Sequence, residues 1–476
     1  MGTTLVEGAA FLVCAPNGEV APQSAEGLFF RDWRFLSRWE LTVNGQVPEI
    51  LAHDTPEAFS ATLVGRVHPR PGSGDSSLMI LRHRYVGRGM REDLVIRNFS
   101  DEAAYCAVSL AYGADFADLF SVKEGRNGGE GAAVEHDDGD LVFRNRHRAL
   151  RVRMSEPASL DGGAAQWELI VPPKGEWKLC QQFLCTIDDE EIEPRWLCGQ
   201  PVARAAPAQR VAAWRRSVPV LDTDHDELRI AVASSAEDLG TLRIFDPDFP
   251  ERTVVAAGAP WFMALSGRDS LISAWMALIV DPDLALGTLQ TLARFQGKDL
   301  NPRTEEEPGR ILHDLRFGDA SPLSFGGGPI YYGSADATPL FVMLLGELRR
   351  WGLAREAVDD LLPHADRAIE WIERHGDRDG DGYVEYQRAS DRGLRNQGWK
   401  DSADAVRFAD GHLADPPIAL AEVQGYVYGA YLARAFFAAE HGDAMLSASL
   451  RARAADLKAA FNRDFWLPDR GWLAMG

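Results

Sequence analysis

Residues 201–224 read PVARAAPAQRVAAWRRSVPVLDTD, and the chain follows a different periodicity on either side of them. Before them, apolar residues alternate with polar ones in short runs: RWELTVNGQVPEIL (38–51), LMILRHRYVG (78–87), REDLVIRNFS (91–100), AAYCAVSLAYGADFADLF (103–120), LVFRNRHRALRVRMSE (141–156) and AAQWELIVPPKGEWKLCQQFLCTI (164–187). A period of two, broken by Gly or Pro spacers and by Asn44-Gly45, marks antiparallel strands and predicts a β-sandwich. After residue 224 the period becomes helical, in DELRIAVASSAEDLGTLRIF (226–245), RDSLISAWMALIV (268–280), PDLALGTLQTLARFQ (282–296), DATPLFVMLLGELRRWG (336–352), REAVDDLLPHADRAIEWIERHG (355–376), IALAEVQGYVYGAYLARAFFAAEHG (418–442) and MLSASLRARAADLKAAFNRDF (445–465). The Ala-, Arg- and Pro-rich stretch between them is a linker or connecting helix. The division is therefore a β-sandwich over 1–205, a linker over 206–220 and a helical domain over 221–476, an α+β multidomain chain. Helical hairpins joined alternately by short turns and long loops suggest an α/α toroid whose long loops gather at one face.

Bulk properties exclude partners more sharply than they name one. The chain has 476 residues, 46% of them hydrophobic, and a formal net charge of −21. That charge disfavours nucleic acid and anionic membranes, because phosphate binding needs a basic surface. Neutral ligands such as sugars remain open. No apolar run reaches the roughly 20 residues of a membrane span, and the first residues lack the positive start of a secretory signal, so a cytoplasmic location is expected. Cys14, Cys106, Cys180, Cys185 and Cys198 are odd in number and scattered, with no C-x-x-C pair. They read as buried thiols rather than as a disulfide framework or a zinc site.

The long loops carry the chemistry. PWFMALSGRDSLISAW (260–275) puts Arg268 and Asp269 at a helix start, where Asp269 is either a cap or, with its neighbour, part of a set of donors and acceptors for hydroxyl groups; the two roles are compatible. GGGPIYYGSADATPLF (326–341) sets Tyr331 and Tyr332 beside Asp336 at another helix start. Its glycines form no phosphate loop, since no G-x-G-x-x-G follows a strand and no Gly-Lys-Ser/Thr is present. HGDRDGDGYVEYQR (375–388) spaces Asp377, Asp379, Asp381 and Glu385 as oxygen ligands of a calcium loop, with the Tyr383 carbonyl as a further one. The twelfth position of an EF-hand would be Arg388, so a standard EF-hand is excluded, and aspartates making Asx turns need no metal. LRNQGWKDSADAVRFADG (394–411) places Asp401 two residues after Trp399, before helical-looking sequence that Asp401 or Ser402 could cap. Three loops of acids, aromatics and glycine together favour a sugar site: aromatic faces stack on pyranose C–H surfaces, and carboxylates bind hydroxyls or protonate a glycosidic oxygen.

On these residues the chain resembles the bacterial amylo-α-1,6-glucosidase or glycogen-debranching-like family. GLFFRDWRFLSRWELTVNG (27–45) resembles the family's opening β-domain motif; PWFMALSGRDSLI, EEEPGRILHDLR, YYGSADATPLFVMLLGE, DRDGDGYVEY, NQGWKDS and EVQGYVYGAYLA follow in the family's order. The resemblance implies a catalytic (α/α)6 barrel and an inverting α-glucosidase mechanism with two carboxylates about 6.5–9.5 Å apart. Asp401 matches the general acid. Arg268 and Asp269 match residues holding the terminal glucose, with Tyr332, Asp336, Gln397 and Trp399 as further wall. No cofactor is required, and an acidic loop spaced like Asp377, Asp379, Asp381 and Glu385 can hold structural calcium in related toroidal glycosidases. The implied partner is a neutral oligosaccharide or polysaccharide.

Twelve helices make such a barrel, and about seven are read here, so an incomplete (α/α)6 toroid is expected, with the general base beyond Gly476. Glu422 and Glu385 are the nearby acids worth testing; the first reads as a structural or sugar contact and the second as support for its loop. Two functions follow: a glycosidase acting on α-1,6 or related glucosidic bonds, or a carbohydrate-binding fragment that lacks the base. Without the base this chain is expected to hydrolyse glucosides poorly or not at all, with binding surviving better than turnover, and exposed inner helix faces are expected to promote self-association.

Overall fold

A computed structural model describes residues 2–69, 76–126, 131–245, 252–316 and 330–476. Its first half is entirely antiparallel. One four-stranded sheet runs Thr3–Glu7, Ala10–Cys14, Gly27–Phe30, Trp33–Leu36. A second has the order Ser159–Asp161, Ala164–Val171, Ala104–Gly113, Arg38–Val43. The third, nine-stranded, is ordered Ala133–Asp137, Asp140–Asn145, Arg148–Met154, Glu176–Ile187, Met90–Asn98, Leu78–Val86, Ser60–Arg66, Glu49–Glu57, with Glu190–Glu191 added on Glu176–Ile187. The inward residues of all three meet in one core that includes Leu12, Trp39, Leu63, Ile80, Leu94, Leu110 and Phe183. The strand Leu78–Val86 buries every second residue, as its alternation requires.

Two features of this half differ from the sequence reading. Asn44 and Gly45 do form a tight turn with positive φ of 54° and 78°, but the strands on either side do not pair. Arg38–Val43 pairs with Ala104–Gly113, while Glu49–Glu57 joins the edge of the large sheet, so the turn carries the chain from one sheet to another. Second, Cys180 and Cys198 form a disulfide, with Cα atoms 5.9 Å apart, and only Cys14, Cys106 and Cys185 are buried thiols. The pairing closes a segment of 18 residues. It escapes a search for C-x-x-C because tertiary folding, not local spacing, brings the two cysteines together. It lends no support to a cytoplasmic location.

The helices are α1 (Leu119–Lys123), α2 (Ala206–Ser217), α3 (Asp226–Thr241), α4 (Gly267–Met276), α5 (Asp283–Arg294), α6 (Ala337–Arg350), α7 (Arg355–Asp360), α8 (Leu362–Trp371), α9 (Ala421–Glu440) and α10 (Ala444–Asp464). Helices α4, α5, α6, α8 and α9 share a core of Leu271, Leu289, Phe341, Leu345, Ile369 and Val427. Gly346 lets α6 approach α9: an added Cβ would sit 2.8 Å from that of Ala433. Asp443 caps α10 through the Leu446 amide at 2.9 Å. Helix α3 buries none of its residues, and its Leu228 and Ile230 are 49% and 56% exposed. Among the described residues no helix is long and apolar enough to cross a membrane.

The two halves meet through apolar and ionic contacts. Phe11, Phe29, Leu119 and Phe120 pack with Ala256 and Met263. Buried Arg316, from the segment after α5, donates to Asp314 at 2.7 Å and lies 3.4 Å from Asp32 of the β-half. Burial pushes the Asp314 carboxyl up to about 6 against the pull of Arg316. Removing one member of such a cluster strands the others without a counter-charge. Arg316→Met is therefore expected to cost about 3–5 kcal/mol of stability, read as a lower urea midpoint, with Arg316→Lys intermediate.

Candidate sugar-binding and catalytic site

Three helix starts converge. Arg268 lies in the first turn of α4, Asp336 at the N-cap position of α6, and Glu422 in the first turn of α9. The positive ends of helices favour carboxylates, which explains why acids can gather here. The common partner is Arg268, which is 7% exposed. Its Nη1 donates to Asp336 Oδ2 at 2.9 Å, its Nη2 lies 3.5 Å from Asp401 Oδ2, and its Nε lies 3.7 Å from Asp269 Oδ1. Burial works against the guanidinium charge, but Asp336, Asp269 and Asp401 outweigh it and its pKa is raised.

The cap readings fail for a local reason. The N-cap residue of α4 is Ser266, whose hydroxyl donates to Asp269 at 3.1 Å, and Asp269 bonds none of the free amides. Asp336 occupies the N-cap position of α6 but makes no side-chain cap; the Ala337 amide donates to Ser334 Oγ at 3.3 Å instead. The Ser334 hydroxyl in turn donates to Asp336 Oδ1. Asp401 has no helix to cap, since residues 402–411 are turns with a bridge from Arg407 to Leu413 rather than the expected helix. Asp269 and Asp401 thereby remain accessible beside Arg268, whereas Asp336, expected in the pocket wall, is buried with its two oxygens taken by Ser334 and Arg268.

Asp401 is the most accessible of these groups after Asp269, with 43% of its side chain exposed. Its pKa is raised, by burial first and then by Asp269 and Asp336, although Arg268 pulls the other way. Glu422 is raised by burial and by Asp336, and offset by Lys400. It lies near the Asp401 loop: a Cβ on Gly398 would be 3.9 Å from Glu422 Oε1 and 2.2 Å from Leu420 Cδ1, so a larger residue at 398 would have to displace the Leu420 side chain at the start of α9. Trp399 stands out at 58% exposure, with Lys400 Nζ 5.3 Å from its ring centre.

Gln397 and Tyr332, expected in the wall, lie beneath it. Gln397 is fully buried; it accepts from Arg310 Nη2 at 2.8 Å and donates to Glu305. Tyr332 is buried and its hydroxyl donates to the Phe295 carbonyl at 2.8 Å. Their polar atoms are thus taken by protein. The sequence reading singled out neither Glu305 nor Arg310, both buried and both inside EEEPGRILHDLR. The density of charge in that stretch was the available signal. Of the GGG tripeptide preceding Tyr331, residues 326–328 lie outside the described residues.

In the acidic loop, Asp377, Asp379 and Glu385 each offer an oxygen, all within 4.8 Å of one another. Asp381 is not in this group, and the Tyr383 hydroxyl donates to Asp464 at 2.8 Å. The carboxylates also bond the loop itself: Asp377 accepts from Gly380 and Gly382 amides at 2.7 and 3.0 Å, and Glu385 accepts from Arg378 at 3.2 Å. Glu385 therefore supports its loop. Calcium takes about 6–8 oxygen ligands, so these three carboxylates could supply only part of such a shell.

Residues 5–182 match the N-terminal domain of (some) glycogen debranching enzymes. No curated protein matches the chain. Among solved structures, a bacterial glucoamylase complexed with acarbose is 10% identical and superposes with a TM-score of 0.53 over 95% of this chain and 65% of its own. The likeness is one of fold, and the chain spans 65% of that glucoamylase's length. A rhamnosidase from Klebsiella oxytoca with rhamnose bound is 13% identical over 92% of this chain and 73% of its own, with a TM-score of 0.33. A galactose mutarotase-like protein from Clostridium acetobutylicum is 7% identical over 39% of this chain and 94% of its own, with a TM-score of 0.27.

A carboxyl raised in the folded state adds stability that is complete below its unfolded pKa and is lost as pH rises through the folded value. Asp401→Asn should accordingly raise the melting temperature at pH 7, modestly because the side chain is partly solvated. The difference should vanish on acidification below about pH 4, near the unfolded carboxyl value. A lower melting temperature at pH 7 would mean that the pairing with Arg268 outweighs the burial.

Proposed function

We propose that the chain carries the terminal-glucose pocket and general acid of a glycoside hydrolase that cleaves α-glucosidic bonds, α-1,6 among them, in glycogen-like or short gluco-oligosaccharides. The observation that carries this reading is the raised, half-exposed Asp401 on a guanidinium that also orders Asp269 and Asp336. A general acid gains from a raised pKa, and burial, with Asp269 and Asp336 nearby, moves Asp401 in that direction against the pull of Arg268. Arg268 and Asp269 supply donors and acceptors for sugar hydroxyls, and Trp399 supplies an exposed ring for stacking. The fold shared with a glucoamylase supports glycoside chemistry, and the match of residues 5–182 to the N-terminal domain of some glycogen debranching enzymes is the reason α-1,6 bonds are included in the reading.

Inversion needs a second carboxylate to deprotonate water on the opposite face of the sugar. Glu422 faces the same carboxylate cluster and is the residue to test for it. Acarbose, the molecule bound to the glucoamylase, is the probe for the pocket. Calorimetry should show acarbose binding by the wild type and by Asp401→Asn, and a loss in Arg268→Met, with melting curves confirming that each variant is folded. Glucose release from isomaltose should fall about 10²–10⁴-fold in kcat for Asp401→Asn, with KM little changed. Acarbose binding without glucose release by the wild type would favour the sugar-binding alternative, and absence of acarbose binding would remove both readings.

We also propose that Asp377, Asp379 and Glu385 hold a structural calcium ion. An ion bound only by the folded state stabilises it by mass action. Calcium should raise the melting temperature and a chelator lower it, an effect that Asp379→Asn should diminish; no shift would leave the aspartates as turn formers.

A further inference from the structure

A cavity of about 380 Å³ lies between the β-half and the helical half, and neither Arg268 nor Asp401 lines it. Phe30, Ile244, Met263 and Leu265 form its apolar wall, while Arg31, Arg88, Arg195 and Arg210 line it together with Glu7. Arg88 is the middle residue of Gly87-Arg88-Gly89, the hairpin tip between Leu78–Val86 and Met90–Asn98, and holds a φ of 47°. A glycine would adopt that backbone without strain. Arg195 sits beside it, its backbone amide bonded to the Gly87 carbonyl at 3.2 Å.

Among the described residues five arginines and only two acids, Glu7 and Asp32, line the cavity. Glu7 forms its ion pair with Arg210. Arg195 Nε is buried without a hydrogen-bond partner, and among the described residues neither Arg88 nor Arg195 makes an ion pair. Burial first, then Arg31 and Arg210 for Arg88, and Arg88 and Arg210 for Arg195, hold both guanidinium pKa values down, with Glu7 and Glu193 acting against this. Desolvating guanidinium groups without a counter-charge is costly. Guanidinium forks bind carboxylates in two-point fashion, and a cavity of this size takes a small molecule.

We propose that this cavity is a binding site for an amphiphilic organic anion, its carboxylate held by Arg88 and Arg195 and its apolar body lying along Ile244, Met263 and Leu265. The proposal is independent of the sugar site. Octanoate is the probe, with acetate, octanol and octylammonium as controls for body, charge and sign. Calorimetry on the whole chain should show saturable octanoate binding, with each control at least about tenfold weaker, as expected from hydrogen bonds to a charged group. Arg195→Gln and Arg88→Gly should each weaken octanoate about tenfold. Arg88→Gly removes the side chain at a backbone position that suits glycine, so its melting temperature should hold or rise while binding falls. Octanol binding as tightly as octanoate, unchanged octanoate affinity in both variants, or no saturable binding to the wild type would each overturn the proposal.

Discussion

A single buried guanidinium organises the helical half of this protein. Arg268 is nearly inaccessible, yet three carboxylates from segments far apart in sequence lie within 4 Å of it. Without that positive charge, Asp269, Asp336 and Asp401 would repel one another, and the long loops would lose the reason to meet. The arrangement in turn depends on a missing side chain. A Cβ on Gly267 would fall 2.0 Å from the Leu312 carbonyl and 2.9 Å from the Ala337 Cβ, so only glycine allows α4 to start close enough to α6 for the Arg268–Asp336 pair to form.

Beneath this pair runs a second polar layer. Arg310 is fully buried and donates to the carbonyls of Glu305 and Ser334, the Glu307 carboxylate and Gln397, while its guanidinium lies 5.3 Å from the Trp371 ring centre. Glu305, with a φ of 56°, accepts from Gln397 and from the Ala389 amide at 3.2 Å. A buried network of this kind is favourable only when each member is satisfied. Here satisfaction ties three loop segments, 305–310, 389–397 and 334–336, into one platform. The loop bearing Asp401 is thus anchored at Gln397 and Gly398, leaving Trp399 and Asp401 at the surface.

The sequence makes periodicity visible and leaves tertiary choices hidden. The seven helical runs appear as helices because each repeats its apolar positions over several turns, and the strands are legible for the same reason at period two. Arg268, Asp269, Asp336 and Asp401 stood out because acids and arginine at helix starts after long loops are chemically conspicuous. What stayed hidden depended on partners remote in sequence. Arg82 and Arg84 occupy inward positions of a strand and are buried over Trp39 against Glu92 and Glu19, which no alternation pattern distinguishes from a solvated face. The Cys180–Cys198 bond, the sheet-changing turn at Asn44-Gly45 and the inward-turned Gln397 are of the same kind. In the segment after Asp401, Ala and Val suggest a helix, but its backbone turns instead and pairs Arg407 with Leu413.

The β-half is linked to the site through the Asp32–Arg316 ion pair and, from there, through backbone hydrogen bonds within the helical half. Gly267 donates to the His313 carbonyl at 2.9 Å and Leu315 donates to Leu265 at 3.0 Å, so the start of α4 is stitched to the segment carrying Asp314 and Arg316. That segment is held in turn by Asp32. His313 lies between Arg268 and Arg316, where burial and then the surrounding arginines lower its pKa to about 3. It therefore stays neutral at ordinary pH and adds no charge between the two guanidinium groups. The interface between the halves consequently acts as part of the scaffold that sets the position of Arg268, which explains why a buried ion cluster, expensive to assemble, is placed there instead of simple apolar packing.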